Sequence, residues 1–267
     1  MSRRAEKTPP IPTPSLDREG RKIAFTLAEV LITIGVIGVV SALTIPNLIT
    51  NYQKRQTASR LKLVYSQLTE AIRLAEVEND DLSGWNFEQS SADSFEQYLL
   101  PHMKIMAKTS SNHLYNDGIY YKRLKGDNTT QLWVLRTPVN IYTTINGTDL
   151  ILPTTSSTGT FVGSTGLLIY IDLNGINTKP NQFGKDVFSV SISSVGNKRL
   201  YFPGTYSTSE VTFGSEPNTD RDVLLGNKLP NYKKSNYEYA CSKNEMGLWC
   251  GRLIQVDGWE IRKDYPW

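Results

Sequence analysis

An apolar run of residues 25–45 contains one ionisable side chain, Glu29. As a helix the run would be about 31 Å long, close to the thickness of the hydrocarbon core of a bilayer. A carboxylate within a membrane costs about 2.5–3.5 kcal/mol on insertion scales, so we expect it to have a partner or a function. Glu29 lies one turn into the run. Its carboxylate can therefore reach the near interface, or it can pair with a positive charge from a neighbouring subunit.

A second group of polar residues lies in the segment IDLNGINTKPNQFGKDVFSV, residues 171–190. Asp172, Asn174 and Asp186 offer the hard oxygen ligands that calcium prefers. The same residues also suit a tight hydrogen-bonded turn between two strands. The spacing of an EF-hand is absent, so a plain hydrogen-bonded turn is the favoured interpretation and a calcium site is the less favoured one.

The chain has two cysteines, Cys241 and Cys250, and two histidines, His102 and His113. Two cysteines this close in an exported domain are expected to form a disulfide, with two free thiols as the alternative. Two cysteines are too few for a zinc site. No nucleophile elbow, zinc-protease motif or P-loop occurs, so we expect that the protein is not an enzyme and holds no cofactor other than calcium.

The positive charge of the chain is concentrated before the apolar run. Residues 1–24 carry six Lys or Arg and three Asp or Glu, which leaves the rest of the chain formally neutral. The positive-inside rule places this leader in the cytoplasm and the remainder outside it. Because the basic excess belongs to the leader, we expect no binding of nucleic acid.

The segment AFTLAEVLITIGVIGVV, residues 24–40, resembles the processing and assembly segment of type IV pilins and type II secretion pseudopilins. The resemblance implies that a prepilin peptidase cuts between Ala24 and Phe25 and methylates the new amine of Phe25. Ala24 stands where the family usually has Gly. The resemblance also implies that Glu29 pairs with the Phe25 amine of an adjacent subunit, and that Pro46 kinks the helix.

This resemblance implies a structural subunit of a filament, either a pseudopilin of a type II secretion system or a subunit of a related pilus. The expected partners are other pilin-like subunits, the prepilin peptidase, the inner-membrane assembly platform and membrane lipid. The expected location is the bacterial inner membrane, with one span and a periplasmic or extracellular C-terminal domain. The alternative is a membrane-anchored minor pilin that binds a surface ligand or DNA.

The rest of the chain must position these residues. We expect a cleaved leader over residues 1–24, an assembly helix over 25–49, its amphipathic continuation over 50–82 and a β-rich globular domain over 83–267. In the continuation an apolar stripe has the three-four spacing of one helix face. It predicts packing on the chain's own sheet rather than on a partner coiled coil, and consists of Ala58, Leu61, Tyr65, Leu68, Ile72 and Ala75.

Beyond the long helix, a short helix is expected over residues 92–100, followed by runs rich in Tyr, Thr, Val and Ile. These runs predict strands at 114–124, 129–137, 139–145, 148–153, 166–174 and 186–192. The expected fold class is therefore α+β, with a long N-terminal helix packed on an antiparallel sheet as in pilins. The C-terminal aromatic residues predict a hydrophobic clasp that anchors the last strand, or an exposed aromatic patch that meets a partner.

Overall fold

The computed structural model describes residues 26–128, 136–155, 166–194, 200–203, 219–228 and 239–267. The described part is an α+β protein with a long N-terminal helix and one antiparallel sheet, which confirms the expected fold class. The helices are α1 (Leu27–Asn79), α2 (Ser91–Tyr98), α3 (Arg221–Leu224) and α4 (Cys250–Val256). The strands are β1 (Ile105–Ser111), β2 (Val139–Thr144), β3 (Asp149–Pro153), β4 (Gly166–Asp172), β5 (Val187–Ser193) and β6 (Leu200–Tyr201).

The sheet is a six-stranded meander in which each strand pairs antiparallel with the next along the chain. Its centre is the pair β4 and β5, which match residue for residue from Gly166 opposite Ser193 to Asp172 opposite Val187. All residues of these two strands are buried. Both faces of the sheet centre are therefore covered, and the core has two separate apolar clusters.

The amphipathic part of α1 packs against this sheet along the predicted stripe. Its buried residues are Ala58, Leu61, Val64, Leu68, Ala71, Ile72 and Ala75. They share one apolar cluster with Leu167 and Ile169 of β4. Tyr65 is half-buried, and its hydroxyl donates to the carbonyl of Leu200 at 3.0 Å. The prediction that the stripe covers the chain's own sheet is confirmed, because a 3.6-residue period keeps these side chains on one face.

Several element predictions are confirmed and others are wrong. The short helix and the strands β2 to β5 form where expected. The predicted strand at 114–124 is wrong, since a loop with Gly118 at φ +81° takes its place. Strand β1 was not predicted, because it is an edge strand with mostly exposed residues and no apolar alternation. Most of the expected strand at 129–137 lies outside the described residues.

Beyond the sheet, residues 250–256 form helix α4, which the sequence did not predict. Helix α4 packs through Leu253 and Ile254, which are fully buried. Gly251 lies so close to the ring of Phe202 that there is no room for a Cβ. The C-terminal segment is thus held as a helix against the cluster that also contains α1 residues.

Candidate functional site

The apolar part of α1 begins with a reciprocal pair of hydrogen bonds between Thr26 and Glu29. The Glu29 Oε2 atom accepts from the Thr26 backbone N–H at 2.8 Å and from the Thr26 hydroxyl at 2.9 Å. The Glu29 N–H donates to Thr26 Oγ1 at 3.2 Å. This arrangement is a capping box, which satisfies free N–H groups at a helix start. The T-x-x-E spacing before an apolar run is the sequence signal for this capping box.

The apolar half of α1 is almost wholly exposed within the part of the chain that the structure describes. All residues from 26 to 49 are exposed except Ser41, which is half-buried. An 18-residue window of α1 has a mean hydropathy of 2.2, and none of that window is buried. The helix is therefore long and apolar enough to cross a membrane. So large an exposed apolar surface is stable only in lipid or against apolar partners.

Two hydroxyl groups of this half bond to their own helix. The hydroxyl of Thr33 donates to the carbonyl of Val30 at 2.9 Å, and that of Thr44 donates to the carbonyl of Val40 at 2.8 Å. Such internal bonds are expected where no water is available. Pro46 lies within the helix, which continues on both sides of it. Ala24 and Phe25, the expected cleavage residues, lie outside the described residues.

A second candidate site lies in the turn between β4 and β5, where Asp172, Asn174 and Asp186 come together. The backbone N–H of Asn174 donates to Asp172 Oδ1 at 3.3 Å. The Nδ2 of Asn174 donates to the carbonyl of Lys179 at 3.2 Å. Asp186 accepts bonds from the N–H groups of Asn181 at 2.8 Å and Gln182 at 2.6 Å. The predicted hydrogen-bonded turn is therefore confirmed.

A third carboxylate, Asp149, reaches this turn only through strand pairing, so no local sequence pattern indicates it. Asp149 lies directly opposite Asp172 in the β3–β4 ladder. It accepts from the Thr143 hydroxyl at 2.6 Å and from the Ile176 N–H at 2.9 Å. All three carboxylate residues are buried.

Burial raises the pKa values of two of these carboxyl groups, those of Asp172 and Asp186. The pKa of Asp172 is raised to about 8, chiefly by burial and then by the negative charges of Asp186 and Asp149. A hydrogen bond from Tyr121 opposes this rise in part. Burial also raises the pKa of Asp186. Among the described residues, no Lys or Arg forms an ion pair with Asp149, Asp172 or Asp186. The described residues also contain no group of three or more His, Cys, Asp or Glu that is placed to hold a metal ion.

The raised pKa of Asp172 predicts a pH-dependent stability. The folded protein binds the proton of the Asp172 carboxyl group more tightly than the unfolded chain does. The contribution of this proton to the free energy of unfolding is therefore complete below about pH 4 and is lost as the pH rises towards 8. In a buffer that contains a metal chelator, we expect the melting temperature of the wild type to fall between about pH 6 and 9. Asp172→Asn removes the titration and should reduce that fall by at least about half. Thermal melts followed by circular dichroism measure this decrease in melting temperature. An equal decrease in the wild type and in Asp172→Asn would contradict the prediction.

The cysteines Cys241 and Cys250 form a disulfide that links two C-terminal elements. Both are fully buried, and Cys250 is the first residue of α4. The N–H of Cys241 donates to the carbonyl of Leu224 in α3 at 2.9 Å. The expected disulfide is therefore present, and it fixes the C-terminal helix to the segment before it.

The C-terminal aromatic residues pack inward, which supports the clasp rather than an exposed patch. Trp249 and Tyr265 are buried, and the Tyr265 hydroxyl donates to the carbonyl of Gly184 at 2.5 Å. Trp259 stands 5.3 Å from Tyr65 of α1, measured between ring centroids. The ammonium of Lys54 lies 5.9 Å from the ring centroid of Trp267. The clasp thus holds the amphipathic part of α1.

These features define an α+β protein whose described part has one helix that is apolar and long enough to cross a membrane. The chain belongs to a family of unknown function (DUF6613), which it matches over residues 47–146 and 214–267, more than half of its length. No curated protein and no solved structure matches it.

Proposed function

We propose that this protein is a structural subunit of a type IV filament-like assembly, either a pseudopilin of a type II secretion system or a subunit of a related pilus. The observation that carries the proposal is the uncovered apolar half of α1, which begins with a carboxylate at Glu29. A helix that is apolar all round can move from lipid into a bundle of identical helices with little change in solvation. The role is mechanical, and no catalysis is assigned to the chain.

The carboxylate of Glu29 has a defined task in this proposal. In the single chain it accepts bonds from Thr26 at the helix start. Processing between Ala24 and Phe25 would create a charged amine one residue before Thr26. The amine of a neighbouring subunit then replaces or joins the Thr26 donors. A buried carboxylate paired with a cation in this way fixes the axial register of adjacent helices, as buried polar residues do in coiled coils.

The proposed partners follow from this assembly. A prepilin peptidase cuts the leader and methylates Phe25, and an inner-membrane platform adds subunits to the filament. Before assembly the protein lies in the bacterial inner membrane with one span, and residues 50–267 lie on the periplasmic or extracellular side. Lipid and other pilin-like subunits compete for the apolar half of α1.

Mass spectrometry of the protein purified from its native membrane tests the processing step. We expect the mature chain to begin at Phe25 and to carry a single methyl group on its amine. An Ala24→Glu variant serves as the control, because a charged side chain at the cleavage position should leave the leader attached. A wild-type chain that retains residues before Phe25 would refute the processing proposal.

A second candidate function is a membrane-anchored binding module, which is favoured by an exposed pair of tyrosines. The rings of Tyr115 and Tyr120 have centroids 4.9 Å apart, and the two residues are 40% and 44% exposed. Lys122, two residues after Tyr120, is also exposed. Exposed aromatic rings with a cation close to them in sequence suit a surface ligand or single-stranded DNA. Ligand capture without any filament would favour this function.

A further inference from the structure

We propose that a basic band on α1, formed by Lys54, Arg55, Arg60 and Lys62, binds the headgroups of anionic phospholipids where the chain leaves the membrane. The inference rests on the membrane span of the proposed location and not on filament assembly. It goes beyond the proposed function, because it assigns a lipid partner to the folded unit Thr50–Trp267 rather than to the apolar half of α1.

Positive charge is concentrated on α1 directly after the apolar half. The residues of the band lie at positions 54–62, and the first acidic residue after Glu29 on this helix is Glu70. Among the described residues, no carboxylate forms an ion pair with any residue of the band. Arg73, farther along the same helix, pairs with Glu70 at 2.7 Å. The charge of the band is therefore available to an anionic partner outside the chain.

The outer residues of the band are exposed, and its inner residues are held by the folded unit. Arg55 and Lys62 are exposed and lie seven positions apart, about two helical turns, which places them on the same side of α1. Lys54 is half-buried, and its ammonium lies 5.9 Å from the ring centroid of Trp267. Arg60 is also half-buried, and its Nη1 donates at 3.2 Å to the backbone carbonyl directly after β4. These contacts fix the band to the folded unit beside Trp267.

Two aromatic residues beside the band give an observation that is independent of charge. Tyr52 lies three positions before Arg55 and is 64% exposed. Trp267 is half-buried, and its ring contacts the Lys54 ammonium. Tyr and Trp are enriched at membrane–water interfaces, because their rings suit the apolar layer and their polar groups suit the water. Aromatic and basic residues that follow an apolar run in this way are typical of a membrane interface.

The spacing along the helix places the start of the band at the depth of the headgroups. Lys54 and Arg55 follow Ile49 by five and six residues, which is about 7.5–9 Å of helix. The headgroup layer extends about 5–8 Å beyond the hydrocarbon core on each side, and long basic side chains can reach back into it. Phosphate oxygens can therefore accept hydrogen bonds from Lys54 and Arg55 directly. Arg60 and Lys62 lie farther out, within about one Debye length of 10 Å from that layer, and attract it through space.

The position of the band favours anionic lipid over nucleic acid, although both offer phosphate oxygens that suit Lys and Arg. Basic residues on the outer side of a span run against the positive-inside tendency, so membrane insertion gives no reason for them. A band that starts five residues after the apolar run meets the headgroups of its own membrane at high local concentration. The chain after residue 24 is formally neutral, so it gives no long-range attraction for DNA.

The test is native mass spectrometry of the full-length protein in a neutral detergent, with equal amounts of anionic phosphatidylglycerol and zwitterionic phosphatidylcholine added. Each cation near an anionic surface strengthens binding by roughly fivefold, so the wild type should bind at least about five times more phosphatidylglycerol than phosphatidylcholine. A higher ionic strength should lower this ratio, because salt screens exposed charges. The basic leader also attracts anionic lipid, so the decisive quantity is the change in the ratio between the wild type and its variants.

Two double variants remove the same charge from different places. Lys54→Gln combined with Arg55→Gln should lower the ratio by about fivefold or more. Arg73→Gln combined with Lys228→Gln is the matched control, because these two cations already pair with carboxylates of the chain. The control should lower the ratio by less than about twofold.

A single variant separates lipid binding from folding. Arg55→Gln leaves the contact of Lys54 with Trp267 intact, so it should keep the melting temperature of the wild type and still lower the ratio by about twofold or more. Equal binding of the two lipids by the wild type, or equal losses in the two double variants, would overturn the proposal. A short DNA duplex that bound the wild type without any preference for phosphatidylglycerol would assign the band to nucleic acid and would overturn it too. Filament incorporation is measured separately, so the filament function would stand in either case.

Discussion

Replacing Glu29 by Ala is expected to reduce incorporation of the protein into filaments by about 100-fold or more. Removing one partner of a buried ion pair costs about 3–5 kcal/mol, because the amine of the neighbouring subunit is then buried without its counter-charge. The folded unit Thr50–Trp267 should be unaffected, because within the described residues the Glu29 carboxylate bonds to Thr26 in its own turn of helix. Immunoblots that compare the sheared filament fraction with the membrane fraction measure the effect.

Two further variants separate the charge of Glu29 from its capping role. Glu29→Gln keeps a residue that forms capping boxes and removes the charge. It should therefore assemble as poorly as Glu29→Ala. Thr26→Val removes the hydroxyl bond and keeps the charge, so it should assemble far better than either. Normal filaments from Glu29→Gln would show that the cap matters and the ion pair does not.

The second large effect is expected from Leu68→Ala, which creates a cavity between α1 and the sheet. Leu68 is fully buried in the cluster that joins α1 to β4 and β5. Truncation of a fully buried leucine costs about 2.5–5 kcal/mol, through lost burial and an unfilled cavity. For a protein of this size the melting temperature should fall by roughly 6–16 °C. Calorimetry or circular dichroism of the full-length protein in detergent gives the value.

Leu63→Ala is the matched control for this experiment, because Leu63 lies on the same helix and is 45% exposed. It should change the free energy of unfolding by no more than about 0.5–1 kcal/mol. If Leu63→Ala were as destabilising as Leu68→Ala, the face of α1 that packs on the sheet would be wrongly assigned. A large effect at Leu68 alone confirms that the stripe anchors the helix.

Much of the fold could be predicted because it depends on local patterns. The stripe from Ala58 to Ala75 repeats every three or four residues, and any helix places such residues on one face. The strands β2 to β5 are short apolar runs bounded by turn residues such as Gly147 and Gly175, which adopt positive φ. The apolar run before residue 49 and the Cys241–Cys250 pair also needed no tertiary information.

Other elements depended on contacts that no local pattern records. Strand β1 owes its extended backbone to pairing with β2 rather than to its own composition. Residues 250–256 form a helix because the disulfide and the close approach of Gly251 to Phe202 fix them against the core. Neither element was predicted, since tertiary neighbours can override the local propensity for a strand or a helix.

The sequence by itself determined the long helix, its uncovered apolar half with Glu29 at the start, and the antiparallel β-rich domain, because each rests on periodicity or composition within a short stretch. Only the tertiary structure decided which carboxylates share a site. Asp149 precedes Asp172 by more than twenty positions, and they meet because β3 and β4 pair in one register. The electrostatics of the turn depend on that pairing and on burial, since both act through distances in space rather than along the chain.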